Sequence, residues 1–394
     1  MKFISLTLIW LLITQGLCSG LFFVPSKELD ITKLSETLGA DLLKKDSLPT
    51  EIEWNEKKFT LSYFINEKLQ DFIKRSLRRY GASYTTIVVI DNNNGQIIGL
   101  QDYDRDKKKL GHSLSFAATH PAASIFKIVS AAHLIDKTKV TKDTVFTYNG
   151  KSTTLYKYQL KDKKNKWTRK RSFEKAFASS NNVIFGKAMI KYSSGLNLYK
   201  TAKKFGFDTS LMEEVPIGSS HVPIATDSYN LAEIASGFNK KTHVSPIHAA
   251  LLPLTIANEG KLFFPRFLKE IKDDSGKILW SSKLKEQKVI SRKSASQVSK
   301  MMMRTISKGT ARRSFRRLRS KYRNNFSIGG KTGSITGGVP YGKRDWFVSF
   351  AKPKKTKDKG ISVAIMSINK GLWRVKSAEL AKKVIEYYYG YVSK

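Results

Sequence analysis

Apolar positions change their period several times along this chain, and each change marks an element. From Phe59, FTLSYFINEKLQDFIKRSLRRYG reads as a strand and then an amphipathic helix. Leu69, Phe72, Ile73 and Leu77 recur at helical spacing, with Lys74, Arg75, Arg78 and Arg79 outside and Gly81 at the stop. In TTIVVIDNNNGQIIGL, residues 85–100, two β-branched runs flank an Asn-Asn-Asn-Gly turn, which predicts a hairpin. Residues 115–260 are largely helical in pattern, punctuated by Gly and Pro. Three strands are predicted near the end: FSIGGKTGSIT (326–336), DWFVSFAKP (345–353) and ISVAIMSINK (361–370). A helix over 376–390 closes the chain, with Ala378, Leu380, Ala381, Val384 and Ile385 on its apolar side. This order predicts an α+β fold, with one antiparallel sheet assembled from both chain ends and an all-helical region inserted between them. Residues 21–58 are weakly periodic and read as a short extended lead-in.

The first residues, MKFISLTLIWLLITQGLCSG, place Lys2 before an apolar run from Phe3 to Ile13. That run has signal-peptide length and is too short to span a bilayer comfortably. Small residues at Gly16, Cys18, Ser19 and Gly20 predict cleavage after Cys18 or Gly20. Residues 1–20 are therefore expected to be a signal peptide, and the protein to be exported to the periplasm or cell envelope. The alternatives are an uncleaved anchor, giving membrane association through the N-terminus, and lipidation at Cys18, which the bulky Leu17 opposes.

Charge adds a second strong signal. The 394 residues hold 71 Lys or Arg against 32 Asp or Glu, a formal net charge of +39. Such a surface attracts polyanions. Three basic inserts stand out: KDKKNKWTRKR (161–171), KPKKTKDK (352–359), which is expected as the turn of the last hairpin, and the acid-free run from Lys288 to Arg344, densest at ARRSFRRLRSKYR (311–323). Nucleic acid is not an expected partner: export argues against it, and the runs lack interleaved aromatics, Trp167 and Phe315 being isolated. An anionic wall or envelope polymer is the better match. The single cysteine, Cys18, excludes an intramolecular disulfide and a cysteine-built metal site. The six histidines (His112, His120, His133, His221, His243 and His248) show no metal-ligand spacing.

Three short motifs carry candidate chemistry: Ser124-Ile125-Phe126-Lys127, then Ser179-Ser180-Asn181, then Lys331-Thr332-Gly333-Ser334. Each alone is weak; three in order are much stronger. Pro121, Ala122 and Ala123 predict a turn into a helix, with Ser124 in its first turn and Lys127 one turn on, on the same face. A hydroxyl needs a base to act as nucleophile, and an exposed lysine is protonated. Ile125, Phe126, Ile128 and Val129 give Lys127 an apolar setting, which lowers a lysine pKa, and a second cation at Lys331 lowers it further. The helix start supplies N–H groups for an oxyanion. Lys331-Thr332-Gly333 falls on a strand whose glycines let a substrate backbone approach the edge; Lys331 and Thr332 can grip a carboxylate, and Ser334 can offer a second oxyanion N–H. Ser179 and Asn181 read either as an ordinary helix cap or as a proton shuttle and an amide-holding group.

These motifs resemble those of the penicillin-binding proteins, in particular the transpeptidase domain of the high-molecular-weight type. The resemblance runs from Phe59 to the end, through VVIDNNNGQIIGL, FEKAFASSNNVIFGKAM and VSPIHAALLPLTIANEGKLFFP, with Gly309-Thr310-Ala311 and Asp345-Trp346-Phe347 flanking the third motif. It implies a five-stranded antiparallel sheet packed by helices and a catalytic domain over 59–394. It also implies a D,D-transpeptidase: Ser124 attacks the penultimate D-Ala carbonyl of a peptidoglycan stem ending in D-Ala-D-Ala, and an amine of another stem resolves the acyl-enzyme. β-Lactams would acylate the same serine, and no metal or organic cofactor is implied. Two departures stand out. Gly237-Phe238-Asn239 replaces a frequent Gly-x-Gly, and 21–58 is too short for the usual pedestal domain, with no room for a glycosyltransferase domain. Rival readings are a D,D-carboxypeptidase or endopeptidase, a serine β-lactamase of the class D-like kind, and a non-catalytic wall-binding module. For the β-lactamase, Glu213-Glu214 is the acidic candidate nearest the right region.

Overall fold

The computed structural model describes residues 38–39, 47–215, 217–371, 373 and 375–393. The expected signal peptide and most of the lead-in lie outside the described residues. The β-branched runs form a six-stranded sheet. Its strands are β1 (Tyr84–Asp91), β2 (Ile97–Asp104), β3 (Lys109–Gly111), β4 (Phe326–Thr336), β5 (Lys343–Pro353) and β6 (Ile361–Asn369). They lie in the order β4-β5-β6-β1-β2-β3, every neighbour antiparallel. The two chain ends meet where β6 pairs with β1, Val363 opposite Val89. Five strands match the expected class, and the sixth, β3, is a three-residue addition at the far edge. Its sequence, Lys-Leu-Gly, is too short to show a period. The Asn-Asn-Asn-Gly turn joins β1 to β2, with Gly95 at φ +74°. The basic insert 352–359 begins in the last two residues of β5 and then forms the turn toward β6.

The helices that frame the site are α1 (Glu67–Tyr80), α2 (Lys127–Lys137), α3 (Phe173–Ala178), α4 (Asn182–Tyr192), α5 (Ser228–Ser236), α6 (Pro246–Ala257), α7 (Arg292–Lys308) and α8 (Ser377–Tyr387). Side chains alternate across the sheet. Ile87 and Val89 pack with Phe347, Val363 and Ile365 beneath α1 and α8. Val88 and Ile90 face the opposite way, with Trp346, Val348 and Ala364, against α6, α7 and the inserted helices. Both sheet faces are therefore buried, and α6 itself has no exposed residue. The closing helix ends at Tyr387, earlier than the expected 390, and continues as a wider π turn over Tyr388–Val392. There Tyr389 packs 4.1 Å from the Phe326 ring and donates to Ala351 O at 2.7 Å.

The lead-in differs from plain extended chain at its end. Glu51–Trp54 pairs with Lys57–Tyr63, which pairs with Leu268–Lys272, which pairs with Ile278–Ser281. This second sheet joins the N-terminal segment to the body of the molecule, with Ile52, Phe59, Leu61 and Ile271 in the main core. The insert between the sheet halves also holds a small hairpin, Val145–Tyr148 with Arg169–Ser172, so it is not all helical.

Candidate active site

Ser124 sits in a 3₁₀ turn, Ala123–Phe126, that runs directly into α2. Ala123 is held at φ +50°, an unfavourable backbone for a residue with a Cβ. Gly237, the left-handed cap of α5, lies against it: a Cβ there would sit 1.9 Å from Ala123 O. Lys127 is wholly buried. Its Nζ lies 2.9 Å from Ser124 Oγ, 2.7 Å from Asn182 Oδ1 and 2.5 Å from Ser236 O. Burial lowers its pKa well below the ordinary lysine value, and the charge of Lys331 lowers it further. Hydrogen bonding then fixes which way the amine points. Asn182 Nδ2 donates to Thr153 O at 2.8 Å, so Oδ1 faces Lys127 as an acceptor. Ser236 O can only accept. These two acceptors hold the amine beside the Ser124 hydroxyl, and in its neutral form, with only two N–H groups, its lone pair is free for that hydroxyl.

The second motif is displaced by one residue from the sequence expectation. Ser179 reaches the wall of the cleft, but its hydroxyl donates to Lys175 O at 2.8 Å and accepts from Arg171 Nη1 at 3.0 Å. Asn181 caps α4, its Oδ1 accepting from Ile184 N at 3.0 Å. Their neighbours meet the lysines instead: Ser180 Oγ accepts from Lys331 Nζ at 3.0 Å, and Asn182 holds Lys127. Ser180 takes φ +56°, and that kink between α3 and α4 turns it toward β4. Ser179-x-Asn181 and Ser180-x-Asn182 share one spacing in the run Ser-Ser-Asn-Asn. Helix capping by Asn181 was the signal that separates them. If Ser124 is acylated by penicillin, as the resemblance implies, and Ser180 relays its proton, Ser180→Ala is expected to slow that acylation by about 100-fold or more, while Ser179→Ala changes it less than about twofold. Rates of covalent labelling check this, and equal effects would remove the distinction.

The third motif lies on β4, at the sheet edge. Lys331 is fully buried and its Nζ donates to Ser180 Oγ at 3.0 Å and Thr332 O at 2.9 Å. Burial lowers its pKa to about 7. Thr332 Oγ1 meets Thr310 Oγ1 at 2.6 Å, and Thr310 N donates to Ala178 O at 3.0 Å. Thr310, not among the sequence candidates, thus ties the third motif to the second. Gly333 lies against the serine turn: a Cβ there would approach Ile125 N and Ala123 Cβ to 3.3 Å. Trp346 Nε1 donates to Pro121 O at 3.0 Å, fixing the sheet to the residues just before Ser124. Ser124, Ser180, Asn182, Thr332, Gly333 and Ser334 all line one cleft of about 860 Å³. Glu213 and Glu214 line a different cleft, beside Arg266 and Trp280. Glu214 there accepts from Phe267 N at 3.3 Å, and Glu213 pairs with Lys285. Neither lines the Ser124 cleft.

A sheet split by a helical insert, with its edge strand closing on a serine of that insert, is the fold of the penicillin-recognising proteins. The chain belongs to one family within that class, the penicillin-binding protein transpeptidase domain, whose model matches residues 85–386. Among solved structures it is similar to the D,D-transpeptidase domain of a peptidoglycan glycosyltransferase from Eggerthella lenta, with 19% identity and a TM-score of 0.67 over 90% of this chain and 87% of that one. It is also similar to PBPA from Mycobacterium tuberculosis, with 19% identity and a TM-score of 0.64 over 83% of this chain and 82% of that one. Penicillin-binding protein 3 of the same organism, in complex with aztreonam, gives 18% identity and a TM-score of 0.67 over 84% and 78%. No curated protein sequence matches.

Proposed function

We propose that the protein is a peptidoglycan D,D-transpeptidase of the cell envelope that works through an acyl-enzyme on Ser124 and is acylated there by β-lactams. The observation that carries this reading is the buried Lys127 amine, 2.9 Å from Ser124 Oγ and held there by Asn182 Oδ1 and Ser236 O. Ser124 Oγ attacks the penultimate D-Ala carbonyl, and its proton passes to Lys127 Nζ. The backbone N–H groups of Ser124 and Ser334 receive the developing oxyanion. The terminal carboxylate meets Thr332 and the charge of Lys331. The C–N bond breaks, and the departing D-Ala amine takes a proton delivered through Ser180. An acceptor amine then attacks the ester carbonyl, loses its proton along the same route and releases Ser124.

The test is labelling with a fluorescent penicillin, with the adduct located by mass spectrometry. A stable adduct on Ser124 is expected, and none in Ser124→Ala. Donor stem peptide with and without an amine acceptor then reads transfer against hydrolysis. Hydrolysis alone would replace transpeptidase by carboxypeptidase. Destruction of the drug without a lasting adduct would replace both by β-lactamase.

A further inference from the structure

On the sheet face away from Ser124, α1 and α8 leave a groove of about 370 Å³ between them. Its floor is aromatic: the Phe72 and Tyr387 rings stack at 4.0 Å, 7° from parallel, and Tyr391 follows at 5.1 Å from Tyr387. Its walls carry Arg75, Arg79, Arg319 and Lys383. Glu386 is the one acid lining it, and Arg319 already engages that carboxylate, with Nε 3.5 Å away.

The chain's basic residues are mostly lysine, and its arginines are not scattered. Of 17 arginines, nine fall within 75–79 and 312–323. All nine are exposed. The second segment is pinned by Phe315, Leu318 and Tyr322, buried in the same core as α1 and α8. Tyr322 Oη donates to Glu386 O at 2.9 Å, docking the segment beside the groove. A favourable helix-dipole position accounts for Arg78 and Arg79 in the last turn of α1. It does not account for Arg75 or for the six of 312–323. Arg313 lines the active-site cleft and Arg319 lines the groove, so the segment is a basic track from one to the other.

We propose that this groove and track bind a phosphate-bearing glycan. Arginine presents a planar fork that matches phosphate in a bidentate way, which lysine does not. Tyr391, 61% exposed at the end of the stacked pair, offers a ring on which a sugar can stack, and a bare phosphate would not need it. Four cations face one acid, already engaged by Arg319, and the surplus of three fits a repeating anion. The site would hold envelope polymer on the back of the enzyme while leading it toward the cleft.

The probe is phosphomannan, with neutral mannan, polygalacturonate and poly(dT) as comparisons, each titrated against the full chain at a series of salt concentrations. Phosphomannan is expected to bind in a salt-sensitive manner and mannan not to bind. The triple change Arg75→Gln, Arg79→Gln, Lys383→Gln is expected to weaken phosphomannan about tenfold or more, since charge-assisted hydrogen bonds are lost. Lys163→Gln, Lys164→Gln, Lys166→Gln removes the same charge elsewhere and is expected to cost less than about twofold. Equal weakening by both triples overturns the proposal, because net charge alone would then explain binding. So does no binding of phosphomannan, or binding of polygalacturonate or poly(dT) that is as tight. Penicillin labelling of Ser124 is unaffected by the groove triple, so this result stands apart from the catalytic reading.

Discussion

Lys127→Met is expected to lower the rate constant for penicillin acylation by about 10²- to 10⁴-fold, the range for loss of a general base. Methionine keeps an unbranched apolar stem in the buried channel beside Phe185, whose ring centre lies 5.5 Å from Nζ. What it removes is the amine 2.9 Å from Ser124 Oγ. The substitution also leaves Asn182 Oδ1 and Ser236 O without their donor, a cost of about 1–3 kcal/mol each, offset in part because a buried amine no longer has to be desolvated. Folding is therefore retained, as circular dichroism will show, while labelling is lost. A fall of less than tenfold would remove Lys127 from the role of base. Stability against pH provides a second readout. The folded value of Lys127 is depressed, so between it and the ordinary value near 10.5 the unfolded chain binds more protons. Stability in that window rises with pH. The variant lacks this contribution, so its melting temperature gains less than that of the parent chain as pH rises toward 10.5.

Gly237→Ala is expected to destabilise the chain by roughly 3 kcal/mol or more and to reduce labelling at least about 100-fold. The added Cβ falls 1.9 Å from Ala123 O, 2.5 Å from Ala123 C and 3.1 Å from Ser124 N. These are backbone atoms and cannot swing aside as a side chain would. The glycine also sits at φ +64°, where alanine is strained. Relief requires moving the serine turn or the end of α5, and the end of α5 carries Ser236 O, the acceptor for Lys127. Either movement separates nucleophile from base. Gly111→Ala, on the far edge of the sheet where a Cβ meets nothing within 4 Å, is the control and is expected to leave both properties near those of the parent. Thermal melts and labelling rates distinguish the two, and a fully active Gly237→Ala would show that the close approach to Ala123 is not maintained in solution.

The sheet was legible because its strands carry the strongest local signals. Val88, Val89 and Ile90, and later Val363, Ala364 and Ile365, are β-branched or apolar on both faces, as a strand between two helical layers must be. The serine turn was legible only in combination: a helix start with a lysine one turn on is common by itself, and its apolar neighbours with the two later motifs in order single it out. Other features depend on partners distant in sequence. Leu268–Lys272 and Ile278–Ser281 have mixed polarity, and they become strands by pairing with Lys57–Tyr63. The choice between Ser179 and Ser180 rests on one left-handed residue. The importance of Gly237 rests on a contact with Ala123, and that of Thr310 on one with Thr332. Spacing alone carries no trace of these contacts.

The pairing of β6 with β1 also shapes how the molecule is made. Val89 waits for Val363, and Pro121, just ahead of the nucleophile, waits for Trp346. Asn182, Ser236 and Gly237 hold the catalytic turn from the middle of the chain, but its contacts with the sheet come from the last part of the polypeptide. Such long-range closure slows folding, because the entropy of ordering the intervening loop is paid before the contacts form. During synthesis, the serine and its lysine are translated early but lack the edge strand, the second cation and the indole that hold them. The serine turn therefore meets the edge strand and Trp346 only after the residues of β4 and β5 have been made.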